Sequence, residues 1–171
     1  MNLAFIAAAL AAGLALKQFY SGAAFEDLRW VLGPTAWLVE RFTGAAFVAE
    51  AGRGYFSSQL RYEIVPACAG VNFMIVVFWS LACGLITACR TLGERFALVA
   101  ASAAAAYAVT LLANAVRITL AIGLHEAGTS IGLMTPDRLH TAAGVAVYFI
   151  FLCVTFAIGV RMTEAHRDAA A

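Results

Sequence analysis

Charge is what this chain has least of. Asp, Glu, Lys and Arg make up 12% of its 171 residues, against 63% hydrophobic residues. Soluble domains carry about 25% charged residues to coat their exterior, so the composition excludes a soluble fold and makes a lipid bilayer the natural solvent. Net charge is +1, with no basic tail, which leaves no electrostatic footprint for nucleic acid. There is no internal repeat and no long linker, and the one biased stretch, Ala100–Ala106, suits close helix packing in lipid. Catalytic signatures are missing too. The chain has no Gly-x-Ser-x-Gly elbow, no His-Glu-x-x-His and no Gly-rich phosphate loop, which excludes the corresponding hydrolase, zinc-protease and nucleotide chemistries. It has no Cys-x-x-Cys and no His/Cys cluster with ligand spacing, so neither a metal nor another cofactor is expected.

What the chain does have is long apolar runs. A helix needs about 20 apolar residues to cross the hydrocarbon core. Five segments qualify as candidates: Asn2–Tyr20, Phe25–Phe42, Pro66–Cys89, Phe96–Glu126 and Pro136–Val160. No Lys or Arg precedes the first, so it reads as a retained helix rather than a secretory signal. The second holds Pro34 and, near its end, Glu40–Arg41, charges that are tolerable only at an interface. The fourth exceeds what the core requires, and is therefore expected to tilt, to protrude, or to break near Asn114. Between the second and third, Phe47–Val65 carries a turn signal at Gly52-Arg53-Gly54 and a weakly alternating Tyr62-Glu63-Ile64-Val65. The expected fold is an all-α integral membrane bundle of about five transmembrane helices. A short extracytoplasmic loop or hairpin precedes the third, and residues 1–171 form one domain.

Loop charges set the expected orientation. Placing Arg90–Arg95 and the tail with Arg161 and Arg167 in the cytoplasm puts Lys17 and Arg29 inside too. Arg41, Arg53, Arg61 and Arg138 fall outside, a bias of six to four. Five spans then put the N-terminus outside.

On that topology three distant segments deliver reactive side chains to one outer face. Cys68 follows Pro66, whose missing N–H suits a first helical position. In the first turn of the third helix a thiol would feel the positive helix end, which favours thiolate. Gly70 frees space for another backbone, and Asn72, four residues on, shares the face of Cys68. A buried structural cysteine is the alternative. Cys83, Cys89 and Cys153 lie in or at the end of apolar runs and read as packing residues. Asn114 and Arg117 stand three apart on one helix face. A membrane guanidinium faces a polar interior or snorkels to phosphates, and apolar residues continue beyond it through Leu124. Thr135-Pro136-Asp137 is a helix start by capping, proline and charge. It brings His140 to the mouth of the last helix, where it can carry protons near neutral pH. His125 is a rival on the same side, and His166 belongs to the tail.

Pro66-Ala-Cys68-Ala-Gly70-Val-Asn72, Asn114-Ala-Val-Arg117 and Leu139-His140-Thr-Ala-Ala-Gly144 together resemble the exosortase/archaeosortase family, most nearly its compact exosortase K type, over about Tyr62–Phe151. The resemblance implies a membrane-embedded cysteine transpeptidase or protease. Cys68 would be the nucleophile, His140 the proton carrier and Arg117 the stabiliser of the oxyanion, with Asn72, Asn114 and Gly70 in support. It implies a bacterial inner-membrane location and an outward-facing site. The implied substrates are exported proteins with a C-terminal motif, a transmembrane helix and a basic tail, and the only other partner is membrane lipid. Two departures stand out: Ala69 replaces the hydroxyl residue usual after the cysteine, and the chain has fewer spans than many members. The competing readings are a non-catalytic subunit or small transporter of exopolysaccharide export, and a tail protease that transfers nothing.

Overall fold

The computed structural model describes residues 2–126 and 136–169, without the side chains of residues 126, 136–140 and 169. Its elements are α1 (Asn2–Gly22), α2 (Arg29–Thr43), β1 (Val48–Glu50), β2 (Gly54–Ser57), β3 (Tyr62–Ile64), α3 (Val71–Leu85), α4 (Leu92–Glu126) and α5 (Pro136–Ala169). Among the described residues four helical segments are long and apolar enough to cross a membrane: Asn2–Gly22, Pro66–Ala88, Leu92–His125 and Thr141–Asp168. This is the architecture of a helical membrane protein. The fourth expected segment is longer than anticipated and unbroken at Asn114, running 35 residues as α4.

The expected second span, Phe25–Phe42, is not among the four. It is a 3-10 turn, Glu26–Leu28, followed by the 15 residues of α2. At 1.5 Å per residue α2 is about 22 Å long, short of the ~30 Å hydrocarbon core. Its apolar residues serve a protein core instead. Val31, Leu32, Thr35, Ala36 and Val39 are buried at helical spacing, while Trp30, Trp37 and Phe42 are exposed.

The chain divides into two compact units. The first comprises residues 1–21, 71–110 and 151–171. Within it α1 buries little of its own surface, Ala9 and Gly13 only. Both meet Trp79 of α3, whose indole Nε1 donates to the Ala9 carbonyl at 3.0 Å and whose ring fills the space a Cβ at residue 13 would need. Phe156 and Leu81 likewise crowd Gly84 and Gly159. Backbones that must approach closely in lipid use small residues for this reason.

The second unit comprises residues 22–70 and 111–150. Here the expected loop or hairpin is a three-stranded antiparallel sheet in the order β1-β2-β3. The register pairs Ala49 with Tyr55 and Phe56 with Glu63. Two carboxylates that would be costly in lipid fasten it instead: Glu40 Oε1 accepts from the Phe47 amide (2.7 Å) and Glu26 Oε1 from the Gly52 amide (2.9 Å). Tyr55 joins sheet to helix, its ring edge-on to Phe25 at 5.4 Å and its hydroxyl set against Gly33. The exposed pair Arg53–Glu50 (2.8 Å) adds little stability.

At Gly54 a Cβ would collide with the backbone carbonyl of Ile64. Gly54→Ala is therefore expected to force β3 out of register and to destabilise by about 1–3 kcal/mol, read as a lower melting midpoint in detergent. Gly22→Ala, where a Cβ meets nothing within 4 Å, should leave the midpoint unchanged.

Candidate functional site

The sheet hands the chain to the site through a short sequence of constraints. Ile64, fully buried, anchors the end of β3. Val65 precedes a proline and is therefore held extended, at φ −95° and ψ 168°. Pro66 then opens a 3-10 turn, Pro66–Cys68, closed by Cys68 N–H to Val65 O (2.7 Å) and Ala69 N–H to Pro66 O (3.0 Å). Gly70 follows at φ 70°, a left-handed conformation that glycine adopts without strain. Only after it does α3 begin.

This corrects two expectations. Cys68 is not in the first turn of α3, so the axial field of that helix is not what conditions its thiol. Cys68 and Asn72 also share no helix face, because the positive φ of Gly70 interrupts the spacing. Asn72 accepts from Lys17 Nζ at 2.7 Å within the first unit. Of the other cysteines, Cys83 and Cys89 are half-buried and Cys153 is exposed on α5, and all are free thiols; the expectation of burial fails for Cys153.

The second part of the site is α4. Asn114 is fully buried and its carboxamide is used at both ends. Its Nδ2 donates to the backbone carbonyl of Cys68. Its Oδ1 accepts from Arg117 Nε (3.2 Å) and from Tyr148 Oη of α5 (2.9 Å). A carbonyl can only accept and a guanidinium can only donate, so the two contacts fix which way the amide points. The third part is α5. Tyr148 places its ring 5.6 Å from Arg117 Cζ, a cation–π distance. One turn earlier, Gly144 lies alongside the aliphatic stem, where an added Cβ would make an ordinary contact 3.4 Å from Arg117 Cδ. Arg117 is thus held on three sides, and among the described residues its contacts include no carboxylate.

Two tyrosines join the residues foreseen. Besides Tyr148 there is Tyr62 of β3. Its phenol is pushed above its ordinary pKa, first by burial and then by the Cys68 thiolate, while the Arg117 charge pulls it down. Tyr62 therefore lies within electrostatic reach of both and stays protonated at neutral pH. The spacing Gly144–Tyr148 is a sequence signal for the second tyrosine; the first has none. α5 begins at Pro136, as expected, and His140 lies in it one turn before Gly144; the His140 side chain and the proposed cap Thr135 are outside the described residues. His125, in the last turn of α4, is exposed.

No protein-family model, curated protein or solved structure matches this chain.

Asn114→Leu would remove three part-buried hydrogen bonds at once. Each contributes about 0.5–1.5 kcal/mol, and more where a charged group takes part, so a marked drop in melting midpoint is expected. Tyr148→Phe, which removes a single bond to Oδ1, should cost less; equal losses would show that the amide is not the shared anchor.

Proposed function

We propose that this chain is a membrane-embedded cysteine transpeptidase or peptidase of the exosortase type. The observation that carries the reading is the Asn114 carboxamide, which fastens the Cys68 backbone and the Arg117 guanidinium to one another. A nucleophile and a cation that meets no carboxylate among the described residues, held in register, are what acyl transfer requires: the thiol attacks and the cation meets the charge that develops on the carbonyl oxygen.

In this reading the Cys68 thiolate adds to the carbonyl carbon of a substrate peptide bond. Arg117 offsets the oxyanion, with the Tyr62 phenol, still protonated, as a second donor on the same side. Collapse breaks the C–N bond, and His140 gives the departing amine the proton it took from the Cys68 thiol. The resulting thioester passes to an acceptor amine, or to water. The substrates are exported proteins whose C-terminal motif, transmembrane helix and basic tail lodge in the bacterial inner membrane and present the motif at its outer surface.

Membrane orientation belongs to the same proposal. Four spans place both termini on one side, so the N-terminus moves to the side of the tail rather than opposite it. Lys17, Arg29, Arg41, Arg53, Arg61 and Arg138 then share the face of Cys68, and Arg90, Arg95, Arg161 and Arg167 the other. The count becomes six to four against the orientation it favoured with five spans. The outward site rests instead on where an arrested tail would present its motif.

Cys68→Ala is expected to abolish cleavage of a co-expressed tail substrate. Arg117→Ala should lower it by about 10²–10³-fold, the loss seen when an oxyanion donor is removed, and Cys153→Ala should leave it unchanged. Immunoblots for the tail decide this, and normal processing by Cys68→Ala ends the nucleophile assignment. In intact spheroplasts a membrane-impermeant maleimide should label Cys68 and spare Cys89, at the far end of α3. The reverse pattern would turn the site to the cytoplasm.

A further inference from the structure

In the first unit, where α3 stops and α4 begins, lies a cavity of about 520 Å³. Its α4 wall is Ala97, Ala101 and Ala105, one small side chain per turn, and Leu81, Leu85 and Gly159 face them. The alanine spacing hollows a trough in a helix surface that larger residues would fill. The lining is mostly apolar, with the hydroxyl residues Ser102 and Thr163 along it, and is charged at one end, where Glu94, His166 and Arg167 stand.

The charges at that end do not cancel. Glu94 is committed to the helix start, its Oε2 accepting the amides of Arg90 (2.7 Å) and Thr91 (3.4 Å). Arg167 is exposed. Arg95, next to Glu94, is only 7% exposed. Its Nη2 donates to the carbonyl of Cys89, a residue of the cavity wall, at 3.4 Å, while Nε and Nη1 are buried without a partner. Arg95 does not itself line the cavity, so it contributes charge from behind the wall, while Arg167, which does line it, carries the guanidinium that suits a phosphate.

Length selects the occupant. From Glu94 to Ala105 the wall spans twelve residues of α4, about 17 Å at 1.5 Å rise per residue. That is about half of the ~30 Å hydrocarbon core. A partner's membrane helix would need a trough through both leaflets, whereas one acyl chain of a single leaflet needs this much. We infer that the cavity binds an anionic phospholipid, one acyl chain lying along Ala97, Ala101 and Ala105 and the phosphate held by Arg167 and the charge of Arg95. The inference stands apart from the chemistry of Cys68.

The test is native mass spectrometry of the full-length protein, equilibrated with equal amounts of palmitoyl-oleoyl phosphatidylglycerol and palmitoyl-oleoyl phosphatidylcholine. Wild type should retain the phosphatidylglycerol in preference. Arg167→Ala should cut that preference about five-fold, the factor for one basic side chain at a lipid surface. Ala101→Phe should fill the trough and abolish retention of both lipids, while Ala100→Phe, on an exposed face outside the cavity, should not. Equal retention of the two lipids by wild type, or undiminished retention by Ala101→Phe, overturns the inference. Arg167 is at the surface, so its variant decides the headgroup question even if Ala101→Phe fails to fold.

Discussion

A buried carboxamide can do what neither a carboxylate nor an apolar side chain can: accept from a cation at one end while donating to a carbonyl at the other. Asn114 does both. An aspartate there would turn a negative oxygen toward the Cys68 carbonyl and would pair with Arg117, cancelling its charge. A leucine would satisfy nothing. With asparagine the guanidinium is positioned by a neutral partner, and among the described residues no carboxylate pairs with it. Tyr148 completes the holder, giving its hydroxyl to the same oxygen and its ring face to the cation.

What brings Cys68 to that amide is the small sheet. Three strands of three to four residues would be marginal alone. They are fastened to α2 and to the 3-10 turn before it by Tyr55 and by the Glu40 and Glu26 carboxylates bound to backbone amides. The last strand runs through one extended residue and a proline into the turn that carries the cysteine, so little conformational freedom remains between Ile64 and Cys68. The acidic residues near α2 are thereby part of a folded support rather than a strain on a membrane span.

The sequence was informative where one physical constraint acts alone. Hydropathy marked α1, α3, α4 and α5 because lipid tolerates little else over such lengths. The three-residue spacing of Asn114 and Arg117 placed them on one face, since α4 is regular there. It misled where two environments ask for the same residues. The apolar stripe of α2 faces protein, yet its apolar residues are those a lipid-facing helix would use; its length and the charges at its ends, Arg29, Glu40 and Arg41, separate the two. Proline before Cys68 signals the start of a helix and the start of a 3-10 turn equally well. The left-handed Gly70 decides between them, and that conformation is set by the surroundings of the chain. Asn72 was misplaced for the same reason, as four-residue spacing has meaning only inside an unbroken helix. Tyr62 was illegible because nothing local distinguishes an aromatic beside a thiol from any strand aromatic.

The tether between Asn114 and residue 68 engages a peptide oxygen and leaves the sulfur out. Architecture and reactivity at that position are consequently separate properties. The main chain keeps the guanidinium aligned whatever side chain residue 68 bears, so a substitution there would change the sulfur and leave the cradle standing.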